Sequence, residues 1–353
     1  MSFERQLTFW LMTFLVVVAL LWLLADILLP FVAGMALAYL LDPLTNRIER
    51  LGVRRTPAAL VIVGVVLLIF VFLALLIVPI LGAQLWALIA NIPGYVTHLQ
   101  ALLADPGNPW LPRIFGAEDA SKTISDLVTQ GTGWLVAFLR SLWSGGRALI
   151  SIFSLVVVTP VVAFYLICDW PRMLATVDQW IPLHHRDTVH ALAREIDAAI
   201  AGFVRGQTGV CLILGSFYAV SLSLVGLNFG LLIGLISGLI TFIPYVGSMT
   251  GLVLSLSVAI AQFWPDRTWI VVVFGIFMVG QFVEGYILAP KLVGENVGLH
   301  PVWLMFAMFA FGYLFGFVGL LVAVPLAAAM GVLLRFALRQ YRASPLYTGG
   351  QSG

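Results

Sequence analysis

The predicted fold class is all-α: a polytopic helical membrane protein of about eight membrane segments, two of them broken or re-entrant, with amphipathic helical arms. Three observations predict it. Hydrophobic residues make up 61% of the 353 positions and charged residues only 10%, against roughly 25% charged in soluble domains. The stretches 7–29, 57–83, 148–168, 208–227, 229–263, 268–289 and 301–334 are predominantly apolar, and a helix needs about 20 such residues to cross the hydrocarbon core. None of them shows the two-residue alternation of an outer-membrane strand.

The first run, LTFWLMTFLVVVALLWLLADILL (7–29), holds one charge, Asp26, which reads as interfacial. It is too long for a cleaved signal peptide, and no small-residue cleavage site follows it. Basic residues then set orientation. Arg47, Arg50, Arg54 and Arg55 follow the first block, Arg172, Arg186, Arg194 and Arg205 lie between 169 and 207, and Arg335, Arg339 and Arg342 follow the last block. Placing these regions and the N-terminus in the cytoplasm requires the chain to return between 30 and 46, in a segment opened by Pro30. The chain then divides into N-terminal membrane segments (1–83), an extracytoplasmic amphipathic arm (84–147) and a membrane span (148–170). A cytoplasmic amphipathic helix (171–207), a C-terminal membrane domain with broken helices (208–334) and a cytoplasmic tail (335–353) complete it.

The arm carries the turn signals NIPGY (91–95), DPGNP (105–109) and GAED (116–119), with balanced charges that fit the outer side. On the cytoplasmic side Leu192, Ile196, Ile200 and Phe203 recur every three or four residues, opposite Arg194 and Glu195. Such a helix lies on its own bundle or on lipid headgroups, or reaches a neighbouring subunit.

The last third is the most informative. Residues 229–263 are broken by FIPYVG (242–247), and residues 301–334 by GYLFGFVG (312–319) and Pro325. Paired long segments interrupted by glycine and proline are the pattern of transporters built from repeats. Two topologies fit the charges: both segments cross, or both are re-entrant hairpins. Glycines at Gly226, Gly230, Gly234 and Gly238 recur every fourth residue, and Gly312, Gly316 and Gly319 form a second set. In lipid, small residues at this spacing let two backbones approach closely, either as static packing or as a sliding surface.

Glu284 lies inside an apolar span, one turn from Gln281. An ionisable group there is expensive and marks a functional site by default. It suits proton or cation coupling or a hydrogen bond to a solute; the alternative is a structural pair with Arg205 or Lys291. At the break, Pro244 lacks an N–H and clashes with the preceding turn, which frees backbone groups around Tyr245 and Gly247. Thr241 and Ser248 add hydroxyls, and Pro290 closes the Gln281 segment. These residues form the candidate pathway, with a kink satisfied by its neighbours as the alternative. No H-E-x-x-H, G-x-S-x-G or Walker A sequence is present, and His184, His185 and His190 lack the spacing of a helical metal pair. The chain reads as no enzyme, with no cofactor, no metal and no basic tract for nucleic acid.

PFVAGMALAYLLDP (30–43), FYLICD (164–169), FIPYVG (242–247), Gln281 through EGYILAP (284–290) to GLHP (298–301), the glycines from Gly312 to Gly319 and AVP (323–325) stand in an order that resembles the autoinducer-2 exporter-like (AI-2E) family of bacterial transporters. The resemblance covers nearly the whole chain. It implies an eight-segment inner-membrane protein with both termini in the cytoplasm, assembled as a homo-oligomer, here read as a pentamer in membrane lipid. It implies export of a small polar solute, a quorum-sensing signal of the autoinducer-2 type, by alternating access. The alternatives are Na⁺ or Li⁺ exchange against H⁺, and a non-transport oligomeric scaffold.

Overall fold

The structure, a computed structural model, describes residues 3–104, 146–244, 246–293, 300–344 and 347. Its regular elements, in those residues, are all helical. Helix α1 (Phe3–Leu23) precedes α2 (Ala25–Arg50), α3 (Arg55–Ala104) and α4 (Gly146–Asp178); a 3-10 turn at Leu183–His185 leads into α5 (Arg186–Leu224). Then come α6 (Gly230–Ile240), α7 (Val246–Phe263), α8 (Arg267–Val283) continued by a π-helix (Glu284–Val293), and α9 (Pro301–Arg342). Among the described residues, 7 helices are long and apolar enough to cross a membrane.

Three boundaries differ from the sequence expectation. The first break falls at Leu24, not at Pro30. Leu24 turns at φ −95°, ψ 5° while its N–H still reaches the Leu20 carbonyl at 2.9 Å, so the break is a one-residue kink. Pro30 sits inside α2, where a proline removes one ladder bond without ending the helix. NIPGY, expected as a turn, is helical within α3; the apolar spacing outlasts the single bond lost at Pro93, and Asn91 Nδ2 donates to the Ala87 carbonyl at 2.7 Å. DPGNP and GAED lie outside the described residues. Finally, α5 runs unbroken through 205–207, joining the amphipathic stretch to the apolar one.

The chain forms two compact units. The first comprises Met1–Leu67, Ser154–Gln207 and Ala289–Gly353. Its core joins Ala38 and Leu41 of α2, Ala59, Ile62 and Val63 of α3, and Ala163 and Ile167 of α4. Arg55 ties these three helices together at one end. Its guanidinium donates to the Ile167 carbonyl (2.7 Å), Asn46 (2.9 Å), Glu49 (3.1 Å) and Asp42 (2.8 Å). Between α4 and α5, Asp178 accepts from Arg186 and meets His190 Nε2. Among the described residues no cluster of His, Cys, Asp or Glu could hold a metal ion.

In this first unit α9 is a hairpin. Gly316 has φ +59°, ψ −138°. A β-carbon on Gly319 would sit 2.6 Å from the Phe311 carbonyl carbon, whereas eight residues of straight helix advance about 12 Å. The chain therefore reverses at Gly316. This glycine is the turn rather than part of a packing face, since a β-carbon on it would meet nothing within 4 Å. Gly312 and Gly319 face the opposite arm.

The second unit comprises Leu68–Phe153 and Thr208–Leu288, and it contains the other hairpin. A β-carbon on Gly251 of α7 would lie 2.7 Å from Ser237 Cβ of α6, and one on Gly247 2.5 Å from Thr241 Cα. At the open end Gln262 accepts from Asn228 N (2.7 Å) and donates to the Gly226 carbonyl (2.8 Å). The two ends of residues 230–263 thus meet. Both broken segments fold back on themselves as hairpins, the arrangement that the re-entrant topology requires. Gly226 also departs from its expected role. It has φ +74° and no neighbour for a β-carbon within 4 Å, and its N–H and that of Leu227 reach back to Ser223 and Leu222. It is the left-handed glycine that ends α5.

Candidate functional site

In the second unit four helices meet at residues with little or no side chain. The stripe Gly230, Gly234 and Gly238 of α6 lies along α5. β-Carbons there would fall 2.8 Å from Leu222 C, 2.6 Å from Tyr218 C and 2.6 Å from Gly215 N. In lipid, where apolar burial drives little association, such contact supplies the packing that holds helices together. Gly251 of α7 makes room for Phe277 of α8 (2.8 Å to Cε1), and Gly280 of α8 for the Tyr218 ring of α5 (2.6 Å to Cζ). Tyr218 and Phe277 are both fully buried and stack at 4.5 Å between centroids.

This knitting places polar groups where α5 faces α8. Gln281 Nε2 donates to Glu284 Oε2 at 2.9 Å. The buried Tyr218 hydroxyl, against Gly280 of α8, has no hydrogen-bond partner. The carbonyl of Cys211, two turns before Tyr218, lies 3.0 Å from where a Gly238 β-carbon would be. This turn of α5 thus neighbours the end of α6 that leads into the hairpin tip.

At the tip, Thr241, Phe242, Ile243 and Val246 donate their N–H groups to carbonyls of Ser237, Leu239, Ile240 and Ile243. The Thr241 hydroxyl bonds the Ser237 carbonyl at 2.7 Å. Ser248 and Gly247 are buried, and Pro244 is half-buried. Tyr245 lies outside the described residues. Beyond Glu284 the helix widens to π geometry through Pro290, which accommodates the ring that an α-turn would crowd; such bulges recur at functional sites.

Glu284 is therefore bonded to Gln281. Arg205 donates instead to the Tyr39 carbonyl (2.8 Å). Chemically the cluster offers a carboxylate, an amide and a hydroxyl donor with no fixed acceptor. It can hydrogen-bond a polar solute or hold and release a proton. Three residues were invisible to spacing arguments: Tyr218, Gln262, and Gln84, whose Oε1 caps α6 at Leu232 N (3.0 Å). A lone tyrosine in the apolar run 208–227, and lone glutamines at 84 and 262, were the available signals.

The family model described as AI-2E family transporter matches residues 11–339. The putative transport protein YrrI of Bacillus subtilis is 32% identical over 90% of this chain and 89% of its own length. The putative permease PerM of Escherichia coli is 28% identical, covering 88% and 87%. The AI-2 transport protein TqsA of Escherichia coli is 24% identical, covering 93% and 88%.

Proposed function

The chain belongs to the AI-2E transporter family, and from that premise we propose that this membrane transporter exports a small polar solute of the autoinducer-2 type by alternating access. The observation that carries the reading is the buried Tyr218 with the half-buried Gln281 and Glu284 beside a helix hairpin with a glycine face. A polar cluster in apolar helices is costly without a partner, and a solute with several hydroxyls satisfies all three groups. Smooth glycine contacts let the hairpin shift against α5 without rotamer changes. In this reading the protein sits in the inner membrane with both termini in the cytoplasm and assembles with copies of itself as a pentamer. The segment layout of 1–83, 84–147, 148–170, 171–207, 208–334 and 335–353 belongs to the same proposal.

The test is flux in liposomes containing the full chain. Wild type moves autoinducer-2 down an imposed gradient, and Glu284→Gln lowers the rate about tenfold or more while purification and thermal midpoint hold. Unchanged flux and unchanged pH dependence in Glu284→Gln remove the cluster from the mechanism. The second reading is Na⁺ or Li⁺ exchange against H⁺, for which one carboxylate inside a span is thin equipment unless backbone carbonyls help. A pH-sensitive dye in the same vesicles responding to Na⁺, with no flux of the signal, selects it.

A further inference from the structure

Two adjoining cavities lie in the first unit, where α2, α3, α4 and α5 converge. One, about 230 Å³, sets the apolar side chains Met35, Leu166 and Trp170 beside the polar Tyr39, Asp197 and Arg205. The other, about 370 Å³, is lined by Asp42, Pro43, Asn46, Arg47, Arg50 and Arg205. Asp42, Asn46 and Arg205 border both.

The acidic groups here are engaged. Asp42 takes Arg55 on one oxygen and Asn46 Nδ2 on the other, each at 2.8 Å. Asp197 takes the Tyr39 hydroxyl at 2.9 Å. Arg205 is held through its Nε by the Tyr39 carbonyl and lines both cavities. Arg47 and Arg50, in the last turn of α2, are exposed. Among the described residues no carboxylate forms an ion pair with Arg47, Arg50 or Arg205.

We propose that this end of the first unit is a phosphate site, occupied by the headgroup of an anionic membrane lipid. Three guanidinium groups around one cavity match phosphate oxygens, which arginine binds in paired hydrogen bonds. A basic pocket between membrane helices is the usual setting for such a headgroup. The adjoining cavity decides between lipid and free phosphate: Met35, Leu166 and Trp170 offer a wall to an acyl chain, and an inorganic ion has no use for one.

The experiment follows the thermal midpoint of the full-length protein in detergent against added phosphatidylglycerol, phosphatidylcholine of the same chains, or inorganic phosphate. Wild type is stabilised saturably by phosphatidylglycerol and not by phosphatidylcholine. Each arginine near such a headgroup contributes roughly fivefold in affinity, so R47Q/R50Q raises the half-saturating concentration about 25-fold. R172Q removes an exposed arginine outside both cavities and leaves the titration unchanged. Arg47 and Arg50 are exposed, so R47Q/R50Q folds and its titration is readable. Equal stabilisation by phosphatidylcholine, or a wild-type titration in R47Q/R50Q, overturns the site. Stabilisation by inorganic phosphate at the same concentrations as phosphatidylglycerol overturns the lipid as its occupant.

Discussion

The two hairpins reverse the chain by different physical means. In α6–α7 the turn contains Pro244, and the amides of Thr241, Phe242, Ile243 and Val246 bond locally. What fixes that hairpin is contact: α6 lies against α5 where glycines leave room for another backbone, and Gln262 joins the two ends. In α9 the turn is one residue. Gly316 adopts φ +59°, ψ −138°, with open space where a side chain would be. Glycines of the first hairpin are required because something else occupies the position of the β-carbon. Gly316 is required because the backbone angles exclude one. The first arrangement is sensitive to volume and the second to conformation, and the same substitution tests both.

The largest effect is all-or-none. Single cysteines at Asn228 and Asp266, and at His300 and Arg339, in a background without Cys168 and Cys211, report sidedness to a membrane-impermeant thiol reagent. Each pair is labelled from one face. A pair labelled from opposite faces turns that segment back into a crossing helix and ends the comparison. Next is Gly238→Ala. Its methyl meets the backbone of Gly215, 2.6 Å from the amide nitrogen, and neither element can yield by a rotamer change. A loss of about 3 kcal/mol, at the upper end for overpacking, lowers the thermal midpoint of the purified protein and its recovery as a monodisperse peak. Gly316→Ala is smaller, about 2 kcal/mol, the cost of holding a side-chain-bearing residue in a glycine-only region. A wild-type midpoint in either variant breaks the distinction between the two routes.

Much of this was legible in the sequence, and the rest failed for identifiable reasons. Apolar runs gave the helical membrane class, because hydropathy over a span is a sum that tolerates local error. Glycines at every fourth residue pointed to close packing for Gly230, Gly234 and Gly238, since periodicity places residues on a helix face. The same pattern misassigned Gly226 and Gly316, because a glycine that ends or reverses a helix has the same spacing as one that packs. The turn at NIPGY was misread because Pro93 removes only one ladder bond, and the long helix that enters it from the apolar span continues past it. Glu284 and Gln281 were singled out from depth alone, and the structure shows them hydrogen-bonded to each other. Tyr218 was missed because its burial and its unmet hydroxyl arise from Gly280, on another helix and 62 residues away (280 − 218), and nothing local announces that pairing.

The smallest effect sharpens the contrast most. Gly312 stands on the first arm of the α9 hairpin, and a β-carbon there would meet Leu320 Cδ2 at 2.9 Å. By distance alone Gly312→Ala resembles Gly238→Ala. The difference lies in what is met. Cδ2 is the far end of a flexible side chain, and a rotamer adjustment of about 1 kcal/mol clears it. Replacing glycine by alanine within a helix returns a similar amount through propensity. The two terms offset, and Gly312→Ala changes the midpoint by less than about 0.5 kcal/mol in either direction. If it falls as far as Gly238→Ala, the α9 hairpin is also held by contact along its arms, and Gly316 is then only where the turn happens rather than what makes it.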